Sequence, residues 1–336
     1  MHYGIIHSNN SNLILSSSLP FINQDKMPKR FTLINEGDLI LADTSEDRKD
    51  AAKGIEIINK SNANILSGLH TIHLREKTLC TIPGFKTYYV ASKSFKNFAR
   101  KYCEGIKVFS IKPSLLKYTH FAYPQNKSEQ FMIVNFFNKI EEKKAILEKK
   151  IDILKKYKEG FTKRLTKTLN TDDIALSNIC SITTGKMDAN TMNPEGKYKF
   201  FTCSREDYFI DTYAFDCEAL LVSGNGDVGL TKYYNGKFNA YQRTYVLYNL
   251  KKNAKFIKLF IDLQINTIIR KETNKGAMPY IRLTTFNKIM IPNIDPSLEY
   301  LISAAIDKID KKIELLQNHA RVLNNIKNNL LDSLFI

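Results

Sequence analysis

Two long lysine-rich stretches, 131–168 and 300–336, carry the same apolar stepping, and no other feature narrows the possible architectures as far. In the first, Ile133, Phe137, Ile140, Lys144, Leu147, Ile151, Leu154, Lys158, Phe161 and Leu165 advance alternately by four and three. In the second, Ile302, Ile306, Ile309, Ile313, Leu316, Ala320, Leu323, Lys327, Leu330 and Leu334 do the same. Every position is displaced by 169 residues, the lysines at 158 and 327 included. A side chain recurring every 3.5 positions on average stays on one face of a helix. A face held that long, with charges between, is the seam of a coiled coil.

The repetition extends backward from each helix. "EGIKVFSIKPSLLKYTHFAYP" before the first parallels "KGAMPYIRLTTFNKIMIP" before the second. Further back, "GLHTIHLR" parallels "YQRTYVLY", and "GDLILAD" parallels "EALLVSG". "FKTYYVASKSFKNFARKY" and "FIKLFIDLQINTIIRKE" each read as an amphipathic helix. These segments predict an α+β chain: a mixed unit over 1–130, a spacer helix over 131–168, a second mixed unit over 169–299 and a second spacer helix over 300–336. The second unit begins with about 28 residues that have no counterpart in the first, which starts near the level of Lys199.

Charge narrows the partner. With 50 Lys+Arg against 34 Asp+Glu the formal net charge is +16, and such a chain repels itself until a polyanion neutralises it. Nucleic acid is the expected polyanion and an anionic membrane surface the rival; no apolar run reaches the roughly 20 residues a spanning helix needs. No basic and apolar leader opens the chain, and the cysteines Cys80, Cys103, Cys180, Cys203 and Cys217 are odd in number and scattered. Both point to the cytoplasm.

Catalytic constellations are missing. No phosphate-binding G-x-x-x-x-G-K-[ST] loop, H-E-x-x-H helix or G-x-S-x-G elbow occurs. Asp43, Glu46 and Asp47 with Lys49 suggest a charged loop rather than a nuclease centre, because the second repeat places "SGNGDVG" there with only Asp227. His70 and His73 have no third ligand spaced to join them, and Arg243 stands where His70 does; no metal site is expected. Gly224-x-Gly226-x-x-Gly229 has dinucleotide-binding spacing, but that fingerprint needs a helix opening on it. Here Tyr-rich alternation follows, with Asn235-Gly236 predicting a hairpin. The glycines then mark a flexible turn between strands.

Basic, amide and aromatic side chains on strand-turn-strand segments are the candidate contacts to nucleic acid. In the second unit they are Lys186, Arg205, Asn225, Lys232, Tyr233, Tyr234, Lys237, Gln242, Arg243, Lys275 and Arg282. In the first they are Arg30, Arg48, Lys49, Lys53, His70 and Lys107. A helix of about 36 residues is a rod of roughly 54 Å, at most about 16 base pairs of duplex. Two unlike heads on such rods would read two unlike short half-sites with a gap between.

The chain resembles the specificity (S) subunits of type I restriction–modification enzymes. The resemblance rests on the order of recognition unit, spacer, recognition unit, spacer, and on four segments. "FFNKIEEKKAILEKKIDILKKYKEGFTKRL" is similar to that family's central helix, and "GAMPYIRLTTFNKIMIPNI" with "IDKIDKKIELLQNHARVLNNIKNNLLDSLF" to its end-of-domain motif and following helix. "HYGIIHSNNSNLILSSSLPFIN" looks like the interior of a first recognition domain. The resemblance implies two spacer helices that pair as an antiparallel coiled coil, and a non-catalytic subunit that reads a bipartite, asymmetric double-stranded DNA target. Two modification subunits, using S-adenosylmethionine to methylate adenine, would dock on it, and restriction subunits could join; no cofactor is expected in this chain. The short front of the first unit leaves a second expectation, an alternative cassette reading one half-site. A coiled-coil scaffold binding only protein is the rival reading.

Overall fold

The computed structural model describes residues 1–8, 13–15, 19–23, 25, 27, 29, 31–58, 63–169, 171–273 and 278–335. The chain divides into two compact units, Met1–Lys149 with Gln317–Ile336, and Lys150–Leu316.

In the first unit, α1 (Tyr3–Ser8) is followed by strands β1 (Leu13–Leu15), β2 (Leu39–Ala42), the short β3 (Thr44–Ser45), β4 (Gly54–Ile58) and β5 (Thr71–Leu74). They form a sheet in the order β1-β4-β2-β5, in which β1 and β4 run parallel and the other neighbours antiparallel. Both faces are covered. Ile40, Ala42, Ile55 and Ile57 pack with Ile6 and Ile34 on one side. Leu39, Leu41 and Ile72 meet Phe85, Tyr88 and Val90 on the other. A strand buried on both faces has no need of polar alternation, which is why β2 reads as an unbroken apolar run. The amphipathic segment that follows is two helices, α2 (Phe85–Ala91) and α3 (Lys93–Tyr102), where the sequence suggested one. Ser92 separates them: its backbone is extended and its hydroxyl accepts the Phe95 N–H, as an N-cap does. Strand β6 (Phe109–Ser110) pairs with β3, and α4 (Lys127–Thr168) begins beyond it.

In the second unit, β7 (Asp173–Ala175) and β8 (Ser181–Thr184) precede β9 (Tyr198–Phe201), β10 (Tyr208–Ile210), β11 (Phe215–Ser223), β12 (Thr231–Ala240) and β13 (Thr244–Tyr248). Helix α5 (Ala254–Glu272), β14 (Met290–Pro292) and α6 (Pro296–Leu334) complete it. The main sheet has the order β10-β9-β12-β11-β13-β8. Ala219 to Ser223 of β11 are all buried, because Leu220 and Val222 face Ile257, Phe260 and Ile265 of α5 while Ala219 and Leu221 face Phe201, Phe238 and Val246. Asn253 starts α5 by accepting the N–H groups of Lys255 and Phe256.

The two sheets repeat one pattern. β9-β12-β11-β13 is parallel, antiparallel, antiparallel, as β1-β4-β2-β5 is. Asp43 N–H donates to His70 O at 3.2 Å, and Gly224 N–H donates to Arg243 O at 2.9 Å. His70 and Arg243 are thus equivalent, as the sequence parallel predicts. The first unit's counterpart begins earlier than the level of Lys199. Met1 N lies 2.6 Å from Leu66 O and Met1 O accepts the Gly68 N–H, as Met187 N and O bond Ala240 O and Gln242 N–H. Asn235-Gly236 makes no hairpin. Glu218 pairs with Asn235 and Cys217 with Gly236 inside a continuous β11–β12 ladder, and Gly236 takes φ 132° within the strand. The extended ladder outweighs the local turn preference, and the β11–β12 connection is the "SGNGDVG" loop itself.

The long helices follow the heptad in their middles and leave it at their ends. In the first unit Phe137, Ile140 and Leu147 of α4 are buried, with Leu323 and Leu330 of α6 partly so. Glu141 pairs with Lys327 at 2.6 Å and Lys144 Nζ donates to Asn324 at 2.9 Å, the descending order of antiparallel helices. In the second unit Ile302, Ile306, Ile313 and Leu316 are buried, Phe161, Leu165 and Ile309 pack beside them, and Ile151 and Leu154 are half-buried. Lys158 pairs with Asp310 at 2.7 Å. At the ends the seam shifts by one residue. Val134 is more buried than Ile133; Leu331 and Phe335 are buried while Leu334 is 50 % exposed. A straight helix turns every 3.6 residues rather than 3.5, so where the helix packs on the sheet unit instead of its partner, steps of four from Lys327 reach 331 and 335.

The first turns of both helices are anchored alike. Gln130, fully buried, accepts the Ile82 N–H at 2.9 Å and donates to the carbonyls of Cys80 and Pro124. Glu299, 169 positions on and 3 % exposed, accepts the Asn253 N–H at 3.2 Å and pairs with Lys252.

Candidate nucleic-acid interface

The turns at one rim of the six-stranded sheet are tied to one another by backbone hydrogen bonds. Gly224 N–H donates to Arg243 O, and Ile281 N–H donates to Gly224 O at 3.0 Å. Asp227 N–H donates to Cys203 O at 3.0 Å, and Gln242 N–H to Met187 O at 3.0 Å. The Cys203 thiol donates to Arg243 O at 3.2 Å. The segments around 186, 203–207, 224–230, 241–243 and 281–282 therefore meet, and they bring together Lys186, Arg205, Asn225, Gln242, Arg243 and Arg282. Lys186, Arg205, Gln242, Arg243 and Arg282 are exposed; Asn225 is half-buried.

Glycine makes the approach possible. A Cβ on Gly224 would stand 2.5 Å from Arg243 O, and one on Gly226, whose φ is +60°, 2.7 Å from Cys203 O. The loop is closed on itself as well, with Gly229 N–H to Ser223 O at 2.9 Å and Ser223 N–H to Leu230 O at 3.0 Å. "SGNGDVG" is a braced turn rather than a flexible one, and β12, not a helix, follows it.

The remaining candidates of this unit lie elsewhere or are engaged. Lys232 is half-buried; its ammonium donates to Arg205 O at 3.1 Å and Glu206 O at 3.0 Å. Burial lowers its pKa, with the Asp207 carboxylate opposing. The Tyr233 hydroxyl donates to Glu218 at 2.9 Å, and burial together with that carboxylate pushes its pKa up. Tyr234 packs on Phe201 and Phe238 in the core. Lys237 sits 4.8 Å from the Tyr213 ring, well along β12 from the rim. Arg282 lies over the Tyr280 ring and bonds its hydroxyl at 2.9 Å. Lys275 falls outside the described residues, as does Arg30.

In the first unit His70, with φ 55°, has its ring 3.2 Å from the Asp43 carboxylate. Arg48 donates to Arg100 O at 3.0 Å and lies over Phe109; Lys53, its pKa lowered by burial, donates to His7 O at 3.1 Å. Lys49 and Lys107 are exposed. His73 is 2.7 Å from buried Asp38, which also receives Arg75, a structural network beside the sheet. Among the described residues no group of His, Cys, Asp and Glu is arranged to hold a metal, and no helix is long and apolar enough to cross a membrane.

A cavity of about 750 Å³ opens beside the braced loop, lined by Lys155, Arg205, Gly226, Asp227, Lys258 and Asn266 among others. Two of its cations are paired, Arg205 with Asp227 at 3.5 Å and Lys258 with Asp262 at 2.5 Å. Sequence patterning did not mark Asp227 or Cys203 as parts of this rim. In the sequence Asp227 shows only its place between Gly226 and Gly229, which says nothing of its partners.

The stretch of chain that carries this rim is similar to known proteins. Residues 170–325 match the family described as the type I restriction modification DNA specificity domain. The type I restriction enzyme EcoDI specificity subunit of Escherichia coli is 36% identical over 142 residues, 42% of this chain; the chain spans only 31% of that relative's length in the match. The S subunit of a type I restriction-modification system from M. genitalium superposes with a TM-score of 0.61 at 16% identity, covering 98% of this chain and 89% of that one. A structure described in terms of complex assembly and conformational transition of the type I R-M system gives a TM-score of 0.53 at 15% identity, over 94% and 85% of the two chains. At these identities the last two are likenesses of fold.

Proposed function

We propose, from the match of residues 170–325 to the type I restriction modification DNA specificity domain, that this chain is the DNA-reading subunit of such a system. The observation that carries the reading is the braced rim of the second unit. Its turns converge on exposed Arg205, Gln242, Arg243, Lys186 and Arg282. Cations and amides held on a rigid scaffold are what backbone positioning and base-edge reading need. The equivalent rim of the first unit, around Asp43 and His70, reads the other half of an asymmetric target.

The chain itself performs no chemistry in this reading. Modification subunits dock on it in the cytoplasm, bind S-adenosylmethionine and methylate adenine, and restriction subunits can join them. Co-expression with its cognate modification subunits, followed by genome-wide mapping of methyladenine, tests the reading. Methylation confined to one bipartite sequence is the expected result, and a single short half-site would assign reading to one unit alone. Absent or scattered methylation would overturn the function.

A further inference from the structure

The Arg205 peptide is gripped from both sides by one hairpin. Its N–H donates to the Asp227 carboxylate at 3.2 Å, from the β11–β12 loop. Its carbonyl, with that of Glu206, accepts the Lys232 ammonium from β12 at 3.1 and 3.0 Å. Asp227 is itself fixed through its backbone N–H to Cys203 O, two residues before Arg205. The Arg205 side chain beyond this clamp remains 77% exposed.

We propose that Asp227 and Lys232 are positioning residues for DNA reading, holding Arg205 as a preorganised contact; the inference rests on the DNA-reading function above. The ion pair between the Arg205 and Asp227 side chains cannot explain the arrangement. At 3.5 Å, with both partners over a third exposed, it contributes little. An acidic side chain on a DNA-facing rim also repels phosphate, so on electrostatic grounds alone its removal would strengthen binding. The clamp argues the opposite outcome for the correct sequence. A loop whose backbone is bonded at both ends of one peptide loses less freedom on binding, and that advantage is specific to the sequence that Arg205 fits.

The test uses the complex with its modification subunits and reads the methylation kcat/KM on the mapped target against the same duplex carrying single base changes. Asp227→Ala is expected to lower this discrimination roughly tenfold, the size of one lost base contact. Asp227→Asn, which keeps an oxygen for the Arg205 N–H while removing the charge, is expected to recover most of it. Lys232→Met, which keeps the apolar stem but cannot reach the two carbonyls, should lower discrimination as Asp227→Ala does. Thermal melts separate a loss of reading from a loss of folding, and Lys232→Met stands in if Asp227→Ala fails to fold. Discrimination within about twofold of the parent in Asp227→Ala, or tighter binding to target and non-target alike in both Asp227 variants, would overturn the clamp. A parent complex without sequence preference would instead overturn the function on which it rests.

Discussion

Lys327 Nζ lies 2.6 Å from the Glu141 carboxylate, and a displacement of 169 positions, backward for the lysine and forward for the acid, finds an equivalent pair with its members exchanged between helices. Lys158 is the counterpart of Lys327 and Asp310 of Glu141, and those two are 2.7 Å apart. A lysine at a seam position costs stability unless its head finds an anion, and it then favours the register that supplies one. Each unit of this chain meets that condition with the same two positions.

The lysines should therefore differ in energetic weight. Lys327 and Glu141 are 11 % and 19 % exposed, whereas Asp310 is 47 % exposed and can be solvated once Lys158 is gone. Lys327→Met is expected to destabilise by about 1–3 kcal/mol and Lys158→Met by less than about 1 kcal/mol. Denaturant unfolding of each variant measures this, and Glu141→Leu combined with Lys327→Met should restore most of the loss.

The end of the second seam gives a sharper contrast. Leu331→Ala removes a fully buried side chain and should cost about 2–5 kcal/mol, while Leu334→Ala, half exposed, should fall within about 0.5 kcal/mol of the parent. Equal losses in chemical unfolding would restore the unshifted heptad.

Much of this organisation is legible in the residues. The matched heptads gave the two long helices, their antiparallel pairing came from the resemblance to specificity subunits, and the "GDLILAD" and "EALLVSG" parallel led to β2 and β11. Asn235-Gly236 misleads because a turn propensity of one dipeptide competes with the long β11–β12 ladder. Leu334 misleads because a heptad written on paper ignores the unit the helix end packs against. Asp227 and Cys203 could not be read at all, since their part consists of backbone partners more than 20 positions away.

Glu56 makes the first unit sensitive to pH. It is almost wholly buried, and burial raises its pKa, with the Lys86 ammonium and the Thr87 N–H acting against that. A carboxyl raised on folding holds its proton more tightly in the folded chain. Its contribution is full below the ordinary value of 4.5 and is lost as pH rises through the folded value. Relative to the parent, Glu56→Gln should therefore gain stability as pH is raised from about 4.5 to neutrality. Parallel pH profiles of the unfolding midpoint would contradict the assignment.

Gly224 can be tested without any partner. Gly224→Ala drives a methyl to 2.5 Å from Arg243 O and should cost about 1–3 kcal/mol. Hydrogen exchange is expected to quicken at the Gly224 and Ile281 amides, whose bonds share that junction.

Arg243 is exposed at the meeting point of the rim, and its counterpart in the first unit is His70. If Arg243 contacts a phosphate, Arg243→Ala should weaken all duplexes alike and reduce the salt slope of binding by about 0.9. If it contacts a base edge, the slope holds and only the correct half-site loses affinity. Titrations at several salt concentrations decide between the two.

The anchors at the helix starts limit how the two halves of such a chain can be recombined. Gln130 completes its bonds with neutral groups, whereas Glu299 relies on Lys252 for its countercharge. A crossover that carries the first turn of α6 onto the first unit would set a carboxylate against Thr81 and Ile82, where Thr81 stands in the place of Lys252 and the neighbouring Lys86 ammonium already pairs with Glu76. The duplicated halves have kept a common plan, yet each helix start has become heritable only together with the loop it holds.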